Sequence, residues 1–227
     1  MNTLPNVAQV GALIGDPVRA AMLGALMDGS ERPAGELAAL SGVSPQTAST
    51  HLARLLDGGL LAVQQHGRHR YYRLRDAEVA QAIETLSVAA DLAPRKRRST
   101  VDPALKRARR CYDHLAGELG VAICDALVAD QRVVAGGDGY QLSESGHAWL
   151  KRLDLMPPAR SQRPVVRPCL DWTERRPHIA GWLGAAICSH LEGEGGVRRV
   201  AGGRSVTVTP VGAASLRKHF GLSWRAT

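Results

Sequence analysis

The chain has 227 residues, enough for two modest domains that each bury a core. No segment approaches the roughly 18 to 20 consecutive apolar residues of a membrane span, and no charged leader precedes an apolar run, so an unexported, cytoplasmic protein is expected. The 29 Lys and Arg against 21 Asp and Glu give a net charge of +8, which suits a polyanionic partner, and the four cysteines read as free thiols rather than a disulfide framework.

Val7, Val10, Leu13 and Ile14 share one helical face, closed by Gly15-Asp16-Pro17, where Pro17 opens the next helix. That helix is expected over Val18 to Met27, stopping at Asp28-Gly29. A short helix over residues 34–40 then meets the turn Ser41-Gly42-Val43. Ser44 is a suitable N-cap and Pro45 a suitable first residue for a helix to Asp57. Its Ala48, Leu52, Leu55 and Leu56 face inward, leaving Gln46, Thr47, Ser49, Thr50, His51 and Arg54 outside.

This is a helix-turn-helix pattern whose outer face is small and polar at its N-terminal end. Such a face fits a major groove, where Gln, Ser and Thr bond base edges and Arg54 reaches guanine or phosphate. Any amphipathic helix has a polar face, so the next segment decides the reading. It predicts a strand, a turn at His66-Gly67 and a return strand from Arg70 to Leu74, with Leu61, Val63, Tyr72 and Leu74 covering the core. Arg68, His69 and Arg70 at the tip then form a wing whose cations meet phosphates or the minor groove.

Through "IGDPVRAAMLGAL", "GELAALSGVSPQTASTHLARLLDGGLL" and "GRHRYYRL", residues 7–92 resemble the ArsR-type (arsenic-repressor) family of winged-helix regulators. The resemblance implies a homodimeric repressor of a double-stranded DNA operator, with the first and last helices as the dimer interface. The last helix follows Asp76 as N-cap and aligns Val79, Ile83, Leu86 and Ala90, a stripe that any core helix also shows. Metal-sensing members carry Cys-x-Cys where this chain has Ala38 and Leu40, or Asp and His ligands in a last helix that here lacks His and Cys over residues 76–93. Neither familiar metal site carries over, so any sensor is expected elsewhere.

Pro94 and Arg95-Lys96-Arg97-Arg98 read as a basic linker, and Lys106, Arg107, Arg109 and Arg110 extend the cluster. Its cations read equally as phosphate contacts or as a solvated face. Asp102-Pro103 starts a helix expected to carry Cys111 and His114 at i, i+3 on one face.

The phrase "HLAGELGVAIC" at 114–124 returns as "HIAGWLGAAIC" at 178–188, and "VAGG" at 134–137 returns at 200–203. One unit is therefore used twice. Each copy reads as a helix, a short strand pair turned at Gly-Gly, and a second helix capped by Ser143 or Thr209. The copies, about 111–155 and 171–222, are expected to pack into one domain. Asp171 with Glu174 reads as a capping box. Long ArsR-type regulators with an extra C-terminal domain show similar "CYDHLAG" and "CLDW" phrases.

Cys124 and Cys188 occupy equivalent places and read as buried hydrophobes. Cys111 and Cys169 stand beside Arg109, Arg110 and Arg167, neighbours that favour an accessible thiolate or a soft-metal ligand, with His114 nearby. His178 has Arg175, not Cys, three residues before it, so both histidines also read as structural. Trp149, Trp172 and Trp182 with Tyr112 and Tyr140 line either an effector pocket between the halves or the core.

The expected fold is α+β, mainly α: a winged helix over 1–93, a basic linker over 94–110, and a C-terminal domain over 111–227 of two related helix-hairpin-helix units. The expected function is a dimeric repressor released by a small molecule, oxidant or soft metal sensed in the C-terminal domain; no cofactor is identified. Its rivals are an effector-independent DNA-binding protein and a Cys-His enzyme, the latter lacking an oxyanion loop or a third orienting residue.

Overall fold

The computed structural model describes residues 7–66, 69–92, 102–136, 139–158, 163–201 and 203–227. The chain divides into two compact units, Met1–Ala82 and Ile83–Thr227, so the boundary falls within a helix and ahead of the linker expected at 94. Residues 94–101 of that linker and the wing-tip residues Gly67 and Arg68 lie outside the described residues, as do Gly137 and Gly202 of the expected Gly-Gly turns.

The first unit runs α1 (Val7–Ile14), α2 (Pro17–Ala25), β1 (Arg32–Pro33), α3 (Ala34–Ser41), α4 (Pro45–Asp57), β2 (Leu61–His66), β3 (His69–Leu74), and enters α5 (Ala77–Leu92). Asp16 caps α2 by accepting from the Arg19 amide at 3.0 Å. The helix stops at Ala25, before the expected Met27, because the Leu26 and Met27 amides turn to carbonyls three residues back. Gly42, at φ 67°, ends α3 in the left-handed conformation that a residue with a Cβ adopts at a cost. Ser44 then caps α4 through the Thr47 amide at 3.2 Å. Met22, Leu23, Leu37, Leu52, Leu55, Leu61, Tyr72 and Leu74 are buried together in this unit.

The strands order as β1-β3-β2, with Leu61 opposite Leu74 and Val63 opposite Tyr72. Val63 does not cover the core as expected; alternation puts it on the face of Leu61, but two residues nearer the tip it is 38% exposed. Asp76 caps α5 through the Val79 amide at 2.9 Å.

The second unit continues with α6 (Pro103–Arg107), β4 (Arg109–Cys111), β5 (His114–Ala116), α7 (Gly117–Ala129), β6 (Val133–Gly136), β7 (Gly139–Leu142) and α8 (Glu144–Arg152). The second copy runs β8 (Arg167–Leu170), β9 (Pro177–Ala180), α9 (Gly181–Gly193), β10 (Val197–Arg199), β11 (Val206–Val208) and α10 (Pro210–Phe220). Each copy thus has a leading hairpin before its helix, hairpin and helix. The helix expected to carry Arg109 through His114 is not formed: α6 stops at Arg107, and residues 109–116 are a β-hairpin. Ser143 and Thr209 cap α8 and α10 through the amides of Gly146 and Gly212.

The repeated Ala-Gly-x-Leu-Gly phrase has a packing reason. Gly117 and Gly181 turn strand into helix at φ 74° and 80°, where an added Cβ would meet the Lys106 carbonyl at 2.4 Å or the Pro164 carbonyl at 2.7 Å. The next glycine lets each helix lie against its own hairpin, where an added Cβ would meet the Leu115 carbonyl at 2.4 Å or the Ile179 carbonyl at 2.2 Å, and brings it close to the opposite copy's histidine. A Cβ on Gly184 would stand 3.0 Å from the His114 Cβ, and one on Gly120 3.5 Å from the His178 Cβ. Leu119, Ile123, Leu127, Leu183, Ile187 and Leu191 of the paired helices fill the core between the copies.

Candidate functional site

Two sites follow from this architecture. The first is the outer face of α4. Gln46, Thr47, Ser49, Thr50 and Arg54 are exposed, while Ala48, Leu52 and Leu55 are fully buried. Helical period alone produces this division, and the Ser44 cap fixes where it begins. The Ser49 and Thr50 hydroxyls donate to the Pro45 and Gln46 carbonyls at 2.9 and 3.4 Å. Their lone pairs remain available to donors on a partner. His51 departs from the expected face: its Nδ1 lies 3.6 Å from Asp16 and 3.5 Å from Arg19, and its side chain is only 14% exposed. It braces α4 against the start of α2 instead.

On the wing, Arg70 is exposed and its guanidinium lies 5.6 Å from the Tyr72 ring centroid. His69 belongs to β3 by backbone, opposite His66, and Arg68 lies outside the described residues. No helix among the described residues is long and apolar enough to cross a membrane.

The second basic cluster is not an open phosphate-binding face where it is described. Arg109 is wholly buried, with Nη2 2.8 Å from Asp171 and 3.5 Å from Glu84, and its guanidinium stacked at 5.1 Å on Trp172. Arg110 pairs with Glu192 at 2.9 Å, and Lys106 approaches Glu118 and Glu174. For Arg109 the partners are buried carboxylates, as an unpaired buried charge would be costly, whereas Lys106 is exposed and its carboxylates are only partly covered.

The second site is buried in the C-terminal unit. The donor atoms of Cys111, His114, Cys169 and His178 all lie within 4.8 Å of one another, and all four residues are buried. Cys111 is the cross-strand partner of His114 in the first hairpin, and Cys169 that of His178 in the second. Cys111 and His114 therefore meet across a tight turn, in which Tyr112 takes φ 59°, and not along a helix. His114 Nε2 and His178 Nε2 face each other at 3.1 Å. His114 Nδ1 bonds Asp113 at 3.1 Å, and His178 Nδ1 lies 3.7 Å from Asp171. Asp113 in turn pairs with Arg163 at 2.7 Å.

The expected accessibility of Cys111 and Cys169 is overturned, since they are 2% and 1% exposed. The arginines are not what perturbs them, since Arg109 and Arg110 are committed to carboxylates. The hydrogen bond from Cys111, then those with His114 and His178, hold the Cys169 thiol far below its usual range. The same Cys169 partner, followed by burial, pushes Cys111 up. Burial opposes a charged His114, yet Asp113 and Cys169 outweigh it and raise its pKa. Cys124 and Cys188 sit as expected in the core, burial lifting them to about 11 and about 12.

His178 was not singled out as a partner of the thiols by sequence reasoning, and the signal was available. Cys111-Tyr112-Asp113 matches Cys169-Leu170-Asp171, but His114 follows at once in the first copy while Trp172 to Pro177 intervene in the second. Asp171 is likewise not a helix cap. Its Oδ1 accepts from the Thr173 and Glu174 amides at 2.9 and 3.0 Å, and its Oδ2 from the Gly117 amide at 2.7 Å. The tryptophans do not gather around one pocket. Trp149 packs edge-on against Phe220, Trp172 against Arg109, and the space between the helices near Gly120 and Gly184 measures about 10 Å³, too little for an effector.

Residues 14–64 match a family model described as a helix-turn-helix domain. The chain is 39% identical over 222 residues to YdfF of Bacillus subtilis (strain 168), described as an uncharacterized HTH-type transcriptional regulator, covering 96% of this chain and 98% of that protein. It is 38% identical over 80 residues to the HTH-type transcriptional regulator CmtR of Mycobacterium bovis, covering 35% of this chain and 67% of that one. Among solved structures, the homodimeric winged helix-turn-helix domain of Mb0332 from Mycobacterium bovis matches at 29% identity and a TM-score of 0.37, covering 42% of this chain and 88% of that one. These relatives are regulators, not enzymes. With a full-length relative, the motifs of residues 7–92 and the winged helix itself in agreement, the chain belongs to the ArsR-type winged-helix family of HTH-type transcriptional regulators.

Proposed function

We propose that this regulator is a homodimeric, sequence-specific repressor that reads its operator with the outer face of α4 and grips flanking phosphates with the wing. The observation that carries it is the α4 face itself: Gln46, Thr47, Ser49, Thr50 and Arg54 exposed together, immediately before a basic hairpin. Dimerisation is supported by α1, which buries none of its residues within the chain and leaves Val7 58% and Val10 38% exposed. Leu86 on α5 is 47% exposed as well. A two-fold dimer would present two recognition helices to a pseudo-palindromic site.

We further propose that release is governed from the C-terminal unit. The family's usual ligand positions hold Ala38 and Leu40, whereas this unit carries a buried thiol and imidazole cluster. The experiment is selection of bound sequences from random duplex DNA, then footprinting of the selected site, repeated with metals, thiol oxidants and metabolite fractions. A protected, two-fold symmetric site is the expected result; protection that ignores sequence would contradict operator recognition. Affinity unaltered by every added class would contradict effector control and favour a purely structural C-terminal unit.

A further inference from the structure

We propose that Cys111, His114, Cys169 and His178 form a tetrahedral Cys2His2 site for one zinc-class divalent ion, which staples the two copies of the repeat together. The inference stands apart from operator binding, since every residue in it belongs to the C-terminal unit.

Geometry comes first. Two nitrogens on one tetrahedral zinc-class ion stand about 3.4 Å apart and two sulfurs about 3.8 Å, given bond lengths near 2.1 and 2.3 Å. The two Nε2 atoms here are 3.1 Å apart, and every pair in the group falls within 4.8 Å. The donors come from four strands, β4, β5, β8 and β9, so registers rather than mobile loops set their positions.

The outer groups point the same way. A carboxylate at the Nδ1 of a histidine fixes the proton there and leaves Nε2 as the lone-pair donor. Asp113 does this for His114, and Asp171 stands at the same side of His178. Each carboxylate is anchored, Asp113 by Arg163 and Asp171 by Arg109 and the Gly117 amide. The two Nε2 atoms face each other at 3.1 Å, close enough to share one proton or to ligate one cation.

Donor chemistry selects the metal class. Two thiolates with two imidazoles favour zinc and its soft relatives over magnesium or calcium, which take oxygen. Two thiolates also neutralise a divalent ion, so the filled site buries no net charge. With four protein ligands no coordination position remains open, which makes the ion a structural link rather than a catalytic centre. One Cys-His pair comes from each copy, and this explains why a duplicated domain keeps the same hairpin twice. Binding is coupled to deprotonation, because the thiolate and the neutral imidazole are the ligating forms.

The test is cobalt substitution of the full chain, purified under reducing conditions and stripped of metal. One equivalent of Co²⁺ should give intense visible d–d bands of tetrahedral cobalt and a near-ultraviolet sulfur-to-cobalt charge-transfer band, and one equivalent of Zn²⁺ should abolish both. Cys111→Ser and Cys169→Ser should each lose about half of the sulfur band, and Cys188→Ala should keep it. Asp113→Asn should weaken the ion's affinity roughly 10- to 100-fold without removing the band. Because the wild-type chain alone gives the primary signal, misfolding of a variant does not decide the matter. Pale, octahedral cobalt, or a spectrum without the sulfur band as the His190, Glu194 and His219 group would give, overturns the proposal. So does reduced protein that takes up neither ion yet forms a Cys111–Cys169 disulfide on oxidation.

Discussion

Arg109 and Asp171, from the leading hairpins of opposite copies, meet at 2.8 Å with neither side chain exposed to solvent. Asp171 also accepts the amide of Gly117 at the start of α7, so one carboxylate holds a guanidinium, a helix start and the loop of its own hairpin. Such a group is costly to strand. Arg109→Ala should destabilise the C-terminal unit by about 3 to 5 kcal/mol, read by denaturant unfolding. Its effect on the salt dependence of DNA binding should be nil. A stable variant with a shallower salt slope would instead make Arg109 a phosphate contact.

The thiols supply a second prediction. All four cysteines are buried, and burial lifts Cys124 and Cys188 to about 11 and about 12. Native, reduced protein should therefore react with maleimide at none of them on the timescale of minutes, and at all four after unfolding. Rapid labelling of Cys111 or Cys169 in the native chain, mapped by mass spectrometry, would show that the hairpins open far more readily than their packing implies.

Arg54 and Arg70 remain exposed and are not spent in buried ion pairs. If each neutralises one phosphate, Arg54→Ala and Arg70→Ala should each reduce the log-log salt slope of DNA binding by about 0.9. Affinity for unrelated sequences should fall in parallel with Arg70→Ala. A slope equal to wild type in both variants would remove these cations from the interface.

A fourth prediction concerns α1. Val10→Asp places a charge on a face that the chain itself leaves bare, so the folded unit should tolerate it. In sedimentation equilibrium the variant should shift from dimer toward monomer by at least about tenfold in dissociation constant, and operator affinity should fall with it. A dimer of unchanged strength would move the interface elsewhere.

Much of the first unit was legible in sequence because its signals are local. Ser44-Pro45 marks the start of α4, Gly42 the end of α3, and the period of Ala48, Leu52 and Leu55 marks the inner face. His51 was not legible, since its partners Asp16 and Arg19 lie on another helix. In the second unit the repeat revealed the duplication but hid the register of the hairpins. Aligned on "HLAG" and "HIAG", Arg175 fell opposite Cys111; the loop from Trp172 to Pro177 displaced the true counterpart, Cys169. The Asp102-Pro103 cap was read correctly, but nothing local announced that the helix would stop at Arg107. That stop is tertiary: Arg109 is drawn out of a helix to reach Asp171 and Glu84.

The central claim is that the outer face of α4 reads sequence, and the measurement that tests it most directly is the affinity ratio between a selected operator and unrelated duplex DNA at fixed salt. For Gln46→Ala, Ser49→Ala and Thr50→Ala the account predicts a loss of about 1 to 3 kcal/mol in operator affinity at each base-reading position, with non-specific binding nearly unchanged. The same ratio in all three variants as in the wild-type chain would contradict it.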